Sequence, residues 1–257
     1  MSMVQMEREG GLAVVTLNNP PVNALNSQLL GELEEVLDSL YKANDVGTLI
    51  ITGGGEKAFV AGADISEFPS LNKENGEKLA RRGQQIFQKI ADFPAPVIAA
   101  VNGVALGGGL EVALACDIRV ADENAKLGLP EVTLGIFPGY GGTQRLPQVL
   151  PLGKARELIF TGDQIESAEA ERMGLVEHVV SGGEALNKAK EIAAKILKRG
   201  PVAVREAKKA INKGLDVSLE EGLKIEASLF GGLCETEDQK EGAKAFMEKR
   251  KPEFKGK

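Results

Sequence analysis

Apolar and polar positions alternate between two periods along this chain. "LAVVTLN" (12–18) is a nearly unbroken apolar run closed by Pro20 and Pro21, which predicts a first strand. In "SQLLGELEEVLDSLYKAN" (27–44), Leu29, Leu33, Val36, Leu37 and Leu40 recur at helical spacing. "TLIITGGG" (48–55) predicts a second strand closed by glycines, and "KAFVAGADISEF" (57–68) reads as a glycine-interrupted loop. A helix is expected over about 76–92, with Ile86, Phe87 and Ile90 facing the core. "FPAPVIAAVNG" (93–103) is a proline-led strand, and "ALGGGLEVALAC" (105–116) leaves it for a helix. "DIRVAD" (117–122) and "AKLGLPE" (125–131) predict short strands. From about residue 184 the strands fade into four consecutive amphipathic helices. Strands alternating with helices over some 180 residues predict an α/β fold with parallel strands, followed by a helical C-terminal region.

Composition narrows the function classes. The 257 residues are 43% hydrophobic and 26% charged, with a net charge of −6 and signs mixed throughout. That balance disfavours a nucleic-acid surface, which shows a basic stripe. No apolar stretch reaches membrane-span length, and "MSMVQMEREGG" has no targeting character, so a cytoplasmic protein is expected. Two cysteines, Cys116 and Cys234, make no disulfide framework and offer no ligand pair for zinc. The lone histidine, His178, sits in the strand-like "GLVEHVV" with no nucleophile motif in the chain, so it reads as structural and no metal site is expected.

The glycine-rich turns first suggest a dinucleotide. Gly107-x-Gly109 continues to Val112, and Gly139-x-Gly141 continues to Gln144, so neither completes G-x-G-x-x-G. Gly153–Lys154 lacks the rest of a phosphate loop. "NGVALGGGLE" instead runs from strand to helix and exposes backbone amides at a helix N-terminus, where an oxyanion is favoured. A close-packed strand–helix turn explains the glycines alone equally well. Glu111 tips the balance. It is an acid among Leu110, Val112, Ala113 and Leu114, three residues beyond Gly108, and its charge is costly to bury. A carboxylate so placed has a perturbed pKa and is an acid/base candidate. A solvated outer-face glutamate is the alternative. Glu131, in "LGLPEVTLGIFPGYGGTQRLP", is a second acid beside another glycine-laden stretch, and Gly62–Ala63 can bring an amide close to a ligand. Asp64 can cap the turn that follows.

Five blocks, "FVAGADISEF", "PVIAAVNGVALGGGLEVALACDIRVA", "AKLGLPEVTLGIFPGYGGTQRLP", "LIFTGDQIESAEAERMGLVEHVV" and "FMEKRKPEF", together resemble the crotonase (enoyl-CoA hydratase/isomerase) family, and most closely its enoyl-CoA hydratases. Order and spacing agree over nearly the whole chain. The resemblance implies a spiral of repeated ββα units over 1–195 and a C-terminal helical region, 196–257, used in assembly of a homotrimer or dimer of trimers. It implies a coenzyme A thioester whose carbonyl oxygen lies between the amides of Ala63 and Gly108, with Glu111 and Glu131 as the catalytic acids. Gly107 and Gly139 add backbone to the site by the same correspondence, Ala61, Ala63, Asp64 and Ile65 match the adenine-contacting loop, and Lys251 and Phe254 match a C-terminal CoA-contacting region. The implied reaction is hydration of a 2-enoyl-CoA to a 3-hydroxyacyl-CoA, as in fatty acid β-oxidation, with no metal or cofactor beyond the CoA of the substrate. An enoyl-CoA isomerase or a branched-chain hydratase of the same family is the alternative. Many isomerases lack one acid, so the pair favours hydration. A non-catalytic acyl-CoA- or RNA-binding member fits the intact acids less well.

Overall fold

The computed structural model describes residues 2–257. Its strands fall into two sheets. The larger has the order β1-β2-β3-β5-β7-β10, built from Val4–Glu9, Leu12–Leu17, Thr48–Gly53, Val97–Val101, Ile118–Asp122 and His178–Val180. Strand β1 is antiparallel to β2, and the remaining pairings are parallel. Every residue of β3 and β5 is buried, the signature of parallel strands covered on both faces. The period of two then sorts their side chains. Leu49 and Ile51 of β3, with Val97 and Ala99 of β5, face the main core. Ile50 and Ile98 face the other way, onto Ala185, Ala189 and Ala193 of α7 (Ala185–Ile196).

The smaller sheet holds β4 (Ala58–Val60), β6 (Val104–Leu106), β8 (Lys126–Gly128) and β9 (Gln164–Glu166), in that order. Strands β3, β5 and β7 of the large sheet each hand the chain to a strand of the small sheet and then to helical structure, whereas β10 runs directly into α7. Thus β3–β4 leads to α2 (Lys73–Ala91), β5–β6 to α3 (Gly108–Ala115), and β7–β8 through a 3₁₀ turn (Pro130–Leu134) to α4 (Gly142–Val149). This is the expected spiral of ββα turns. Helix α1 (Ser27–Ala43), capped by Asn26, covers the main core with Leu29, Leu33, Leu37 and Leu40, as its spacing predicts.

Three expectations change. The N-terminal segment, given no element from its pattern, forms the edge strand β1, which buries only Val4. The segment 57–68, read as a loop, contains β4 and a 3₁₀ turn at Ile65–Ser70. The segment 125–131 is strand for only three residues. Strands this short carry too few residues to display a period.

At the C-terminus, α8 (Pro201–Leu215) is tied beneath the large sheet. Arg205 donates to the carbonyls of Asn44 and Val46, and Lys208 pairs with Asp117 at 2.7 Å. Helix α9 (Leu219–Leu233) packs on α8 and buries none of its residues. Helix α10 (Glu237–Met247) follows. Among the described residues no helix is long and apolar enough to cross a membrane.

Candidate active site

The site is built where β6 turns into α3. Gly107 adopts φ +52°, a left-handed conformation that favours glycine, and its N–H donates to the Gly128 carbonyl of neighbouring β8 at 2.9 Å. This swings the next amides outward as the free first turn of α3. Gly109 backs onto β4 so closely that a Cβ there would sit 1.9 Å from the Val60 carbonyl oxygen. All eight residues of α3 are buried, Glu111 included, at 1% exposure. The solvated reading of Glu111 is thereby excluded.

A buried carboxylate needs partners, and the loop before α4 supplies them. Oε1 of Glu111 accepts from the Tyr140 N–H at 2.8 Å and from the Gly142 N–H at 2.7 Å. Burial pushes the pKa of Glu111 up to about 7. The nearby Glu131 charge adds to the rise, while the two amides and Arg145 oppose it. Glu131 sits on the 3₁₀ turn after β8, and its Oε1 lies over the α3 entry, 2.9 Å from where a Gly107 Cβ would be. Its Oε2 is buried and has no hydrogen-bond partner among the described residues. Burial lifts its pKa to about 6. Two partly desolvated acids near neutrality therefore flank one helix N-terminus.

Across from them lies the Ala61–Asp64 strap. Leu25 bridges it, with the Leu25 N–H donating to Gly62 and the Asp64 N–H donating to Leu25, both at 2.8 Å. The Ala61 N–H donates to Val22 at 3.0 Å. The Ala63 N–H has no partner of this kind among the described residues. A Cβ on Gly108 would stand 3.8 Å from the Ala63 nitrogen, so two unspent amides face one small space. Asp64 caps the 3₁₀ turn, accepting from the Ser66 N–H at 3.0 Å, and hydrogen bonds from the Ser66 side chain and then from this N–H hold its carboxyl below the usual range. Ile65, the next residue, is 58% exposed.

The structure thus brings together Glu111, Glu131, Gly107, Gly108, Ala63 and the adjoining Ala61, Asp64 and Ile65. Gly139 lies one residue before the clamp, and its carbonyl accepts from Gln84 Nε2 at 2.9 Å. Phe254 is elsewhere, and Lys251 is an exposed residue of the same tail. Phe254 lies 3.4 Å from a Cβ position on Gly242 of α10 and 3.8 Å from one on Gly200, so the tail is packed on α10 and the start of α8. His178 is an exposed residue of β10 paired with Val120. The Tyr140 and Gly142 amides, and Arg145 behind them, escape a reading of side-chain types. The signal available was the repeated glycine in "PGYGGTQR", where backbone rather than side chain does the binding. A surface groove of about 500 Å³ between α1 and α2, lined by Leu37, Tyr41 and Phe93, contains neither carboxylate. No group of three or more His, Cys, Asp or Glu among the described residues is placed to hold a metal ion.

Known proteins resemble the chain over nearly its whole length. The sequence model of the enoyl-CoA hydratase/isomerase family matches residues 7–257. The chain is 49% identical over 254 residues to a short-chain-enoyl-CoA hydratase of Clostridium acetobutylicum, covering 98% of this chain and 97% of that one. It is 47% identical over 250 residues to a crotonyl-CoA hydratase of Syntrophomonas wolfei, covering 97% and 96%. The crystal structure of an enoyl-CoA hydratase from Bacillus anthracis superposes with a TM-score of 0.95 at 44% identity, over 99% of this chain and 100% of that one. The chain belongs to the enoyl-CoA hydratase/isomerase family.

Proposed function

We propose that the protein is an enoyl-CoA hydratase, a hydro-lyase that adds water across the 2,3 double bond of a short 2-enoyl-CoA. The observation that carries this reading is the pair of desolvated acids, buried Glu111 and half-buried Glu131, beside the unspent amides of Ala63 and Gly108. Attack of water at Cβ moves electron density onto the thioester oxygen, and two aimed N–H groups stabilise that developing enolate without having to reorganise. The N-terminus of α3 adds its positive end. One carboxylate removes a proton from the attacking water while the other supplies a proton at Cα. Acids with pKa values of about 7 and 6 can share a proton between them near neutrality. The unpartnered Oε2 of Glu131 is where the water would be held. Nothing in these steps calls for a metal or a redox cofactor, and CoA enters and leaves with the substrate. The intact acid pair favours hydration over isomerisation.

The reading extends to assembly. Residues 1–195 form the spiral core, and 196–257 serve trimerisation, singly or as a dimer of trimers. Helix α9 has no buried residue, and Leu219 (79%), Phe246 (85%) and Met247 (75%) are largely exposed in the single chain. Lys251 and Phe254 would contact the CoA by the family correspondence, with Phe254 packed on α8 and α10 within the single chain. A cytoplasmic setting fits the two free cysteines, Cys116 and Cys234. The test is direct. Purified protein is mixed with crotonyl-CoA and a series of longer 2-enoyl-CoA thioesters, and loss of the conjugated thioester absorbance is followed. Turnover fastest on the short members supports the reading, and no turnover on any of them refutes it.

A further inference from the structure

The clamp on Glu111 is itself held from behind. Arg145, on the first turns of α4, donates from Nη1 to the Tyr140 carbonyl at 3.1 Å and from Nη2 to Gln88 Oε1 at 2.9 Å. Gln88, on α2, passes the chain on through Nε2 to Asp92 Oδ1 at 3.1 Å. One turn earlier on α2, Gln84 donates to the Gly139 carbonyl. That carbonyl belongs to the peptide whose N–H, on Tyr140, binds Glu111. The peptide unit of the second donor, Gly142, has its Gly141 carbonyl taken by the N–H groups of Gln144 and Arg145. Both amides that grip Glu111 therefore carry a second hydrogen bond on their carbonyl side, which strengthens donation from the N–H.

We infer that Arg145, tied to Gln88 of α2, is a positioning residue that fixes the Tyr140–Gly142 clamp and so sets where Glu111 sits and when it ionises. The proposal rests on the hydratase reading for its kinetic consequence, but not for its titration. Arg145 suits the task because its planar fork holds two Nη donors in fixed directions, one for each acceptor, whereas a lysine ammonium is a single rotating point charge. Among the described residues, two charged groups act on Glu111. Glu131 raises its pKa and Arg145 lowers it. Asp92 faces Arg145 from the end of α2, and the Cys116 thiol at the end of α3 is kept neutral, pushed up to about 12. Arg82 of α2 points the other way, toward Gly31 of α1.

The test uses two variants and two readouts in the intact protein. Arg145→Gln removes both the charge and the fork, and Arg145→Lys keeps the charge alone. Glutamate labelled with ¹³C at the side-chain carboxyl, with the Glu111→Gln variant identifying the resonance, reports the titration of Glu111 without any turnover. In Arg145→Gln the Glu111 midpoint should rise by about one pH unit, since an opposing charge and the fixed amides are both lost. With crotonyl-CoA, kcat should fall about tenfold or more with little change in KM, as a misplaced acid reacts poorly while the binding amides remain. Arg145→Lys should restore most of the midpoint and only part of kcat. Should Arg145→Gln fail to fold, Gln88→Met at an exposed position removes one anchor and should shift the midpoint and kcat the same way by less. An unchanged Glu111 midpoint in a folded Arg145→Gln or Gln88→Met variant overturns the brace, whatever the wild type hydrates. A wild type that hydrates no enoyl-CoA overturns the proposed function and leaves the titration to decide the brace.

Discussion

Gly108 and Gly109 are neighbours in the sequence, yet the structure predicts opposite fates for their alanine variants. A Cβ on Gly108 meets only Leu25 Cδ1 at 2.9 Å, the end of a flexible side chain, with Tyr140 Cδ2 at 3.6 Å and the Ala63 nitrogen at 3.8 Å. Leu25 can move aside. Alanine also gains up to about 1 kcal/mol in helix propensity over glycine, which offsets part of the roughly 1–3 kcal/mol of overpacking. The fold of Gly108→Ala should survive, with a melting temperature within about 2–8 °C of wild type. Its new methyl group, however, stands in the space shared by the two amides. Losing one donor of an oxyanion hole costs about 10²–10³ in kcat, or about 2.7–4 kcal/mol. Gly109→Ala is different, because its Cβ falls 1.9 Å from the Val60 carbonyl, which is backbone of β4 and cannot rotate away. Helix α3 or the strand must shift, so this variant should lose stability first and activity only as a consequence. Thermal unfolding and crotonyl-CoA hydration measured on both variants decide the matter. Wild-type turnover in a folded Gly108→Ala would place the oxyanion site elsewhere, and a stable Gly109→Ala would contradict the α3–β4 contact.

Other outcomes follow from the same geometry. A Cβ on Gly83 of α2 would lie 2.3 Å from Tyr140 Cδ1, so Gly83→Ala should displace that ring, loosen the clamp and lower kcat about tenfold, while CoA-ester binding measured by calorimetry is kept. The acid pair should give a bell-shaped kcat/KM profile centred between its pKa values of about 6 and about 7, and a profile flat from acid to alkaline pH would refute proton sharing. Because the folded pKa of Glu111 is raised from 4.5 to about 7, its contribution is fully present below the unfolded value and is lost as pH rises through about 7; the difference is about 3 kcal/mol. Denaturant unfolding of Glu111→Gln should therefore show a smaller fall in stability between about pH 5 and about pH 8 than wild type, and an equal fall would contradict the burial. Light scattering should find a trimer or its multiple, and a stable monomer at micromolar concentration would contradict the role given to α8–α10.

How much of this was legible beforehand depends on how far each feature is repeated along the chain. Helix α1 announced itself because five apolar residues recur at one spacing, and β3 and β5 because their burial on both faces leaves unbroken apolar runs. Glu111 stood out because an acid in an apolar helix demands a reason. The three-residue strands β4 and β6 did not, since their pairing comes from the turn of the spiral above and below rather than from their own pattern. The clamp was hidden for a related reason. Tyr140 and Gly142 act through backbone amides, and any residue type has one. Arg145 reads as an ordinary helix arginine until the fold places Gln88 and the Tyr140 carbonyl within reach of its two Nη atoms. Lys251 and Phe254 were matched by correspondence alone, and the single chain packs Phe254 on α8 and α10.

The most direct test of the central claim is a double-mutant cycle on crotonyl-CoA hydration with Glu111→Gln, Glu131→Gln and the two combined. Each single change should lower kcat by about 10²–10⁴, because positioned acid/base groups contribute on that scale. The double variant should be little slower than the worse single one, because two groups that grip one water fail together. Saturated acyl-CoA binding and circular dichroism should be unchanged throughout. Hydration at the wild-type rate in Glu111→Gln, or losses that multiply in the double variant, would contradict a shared catalytic water.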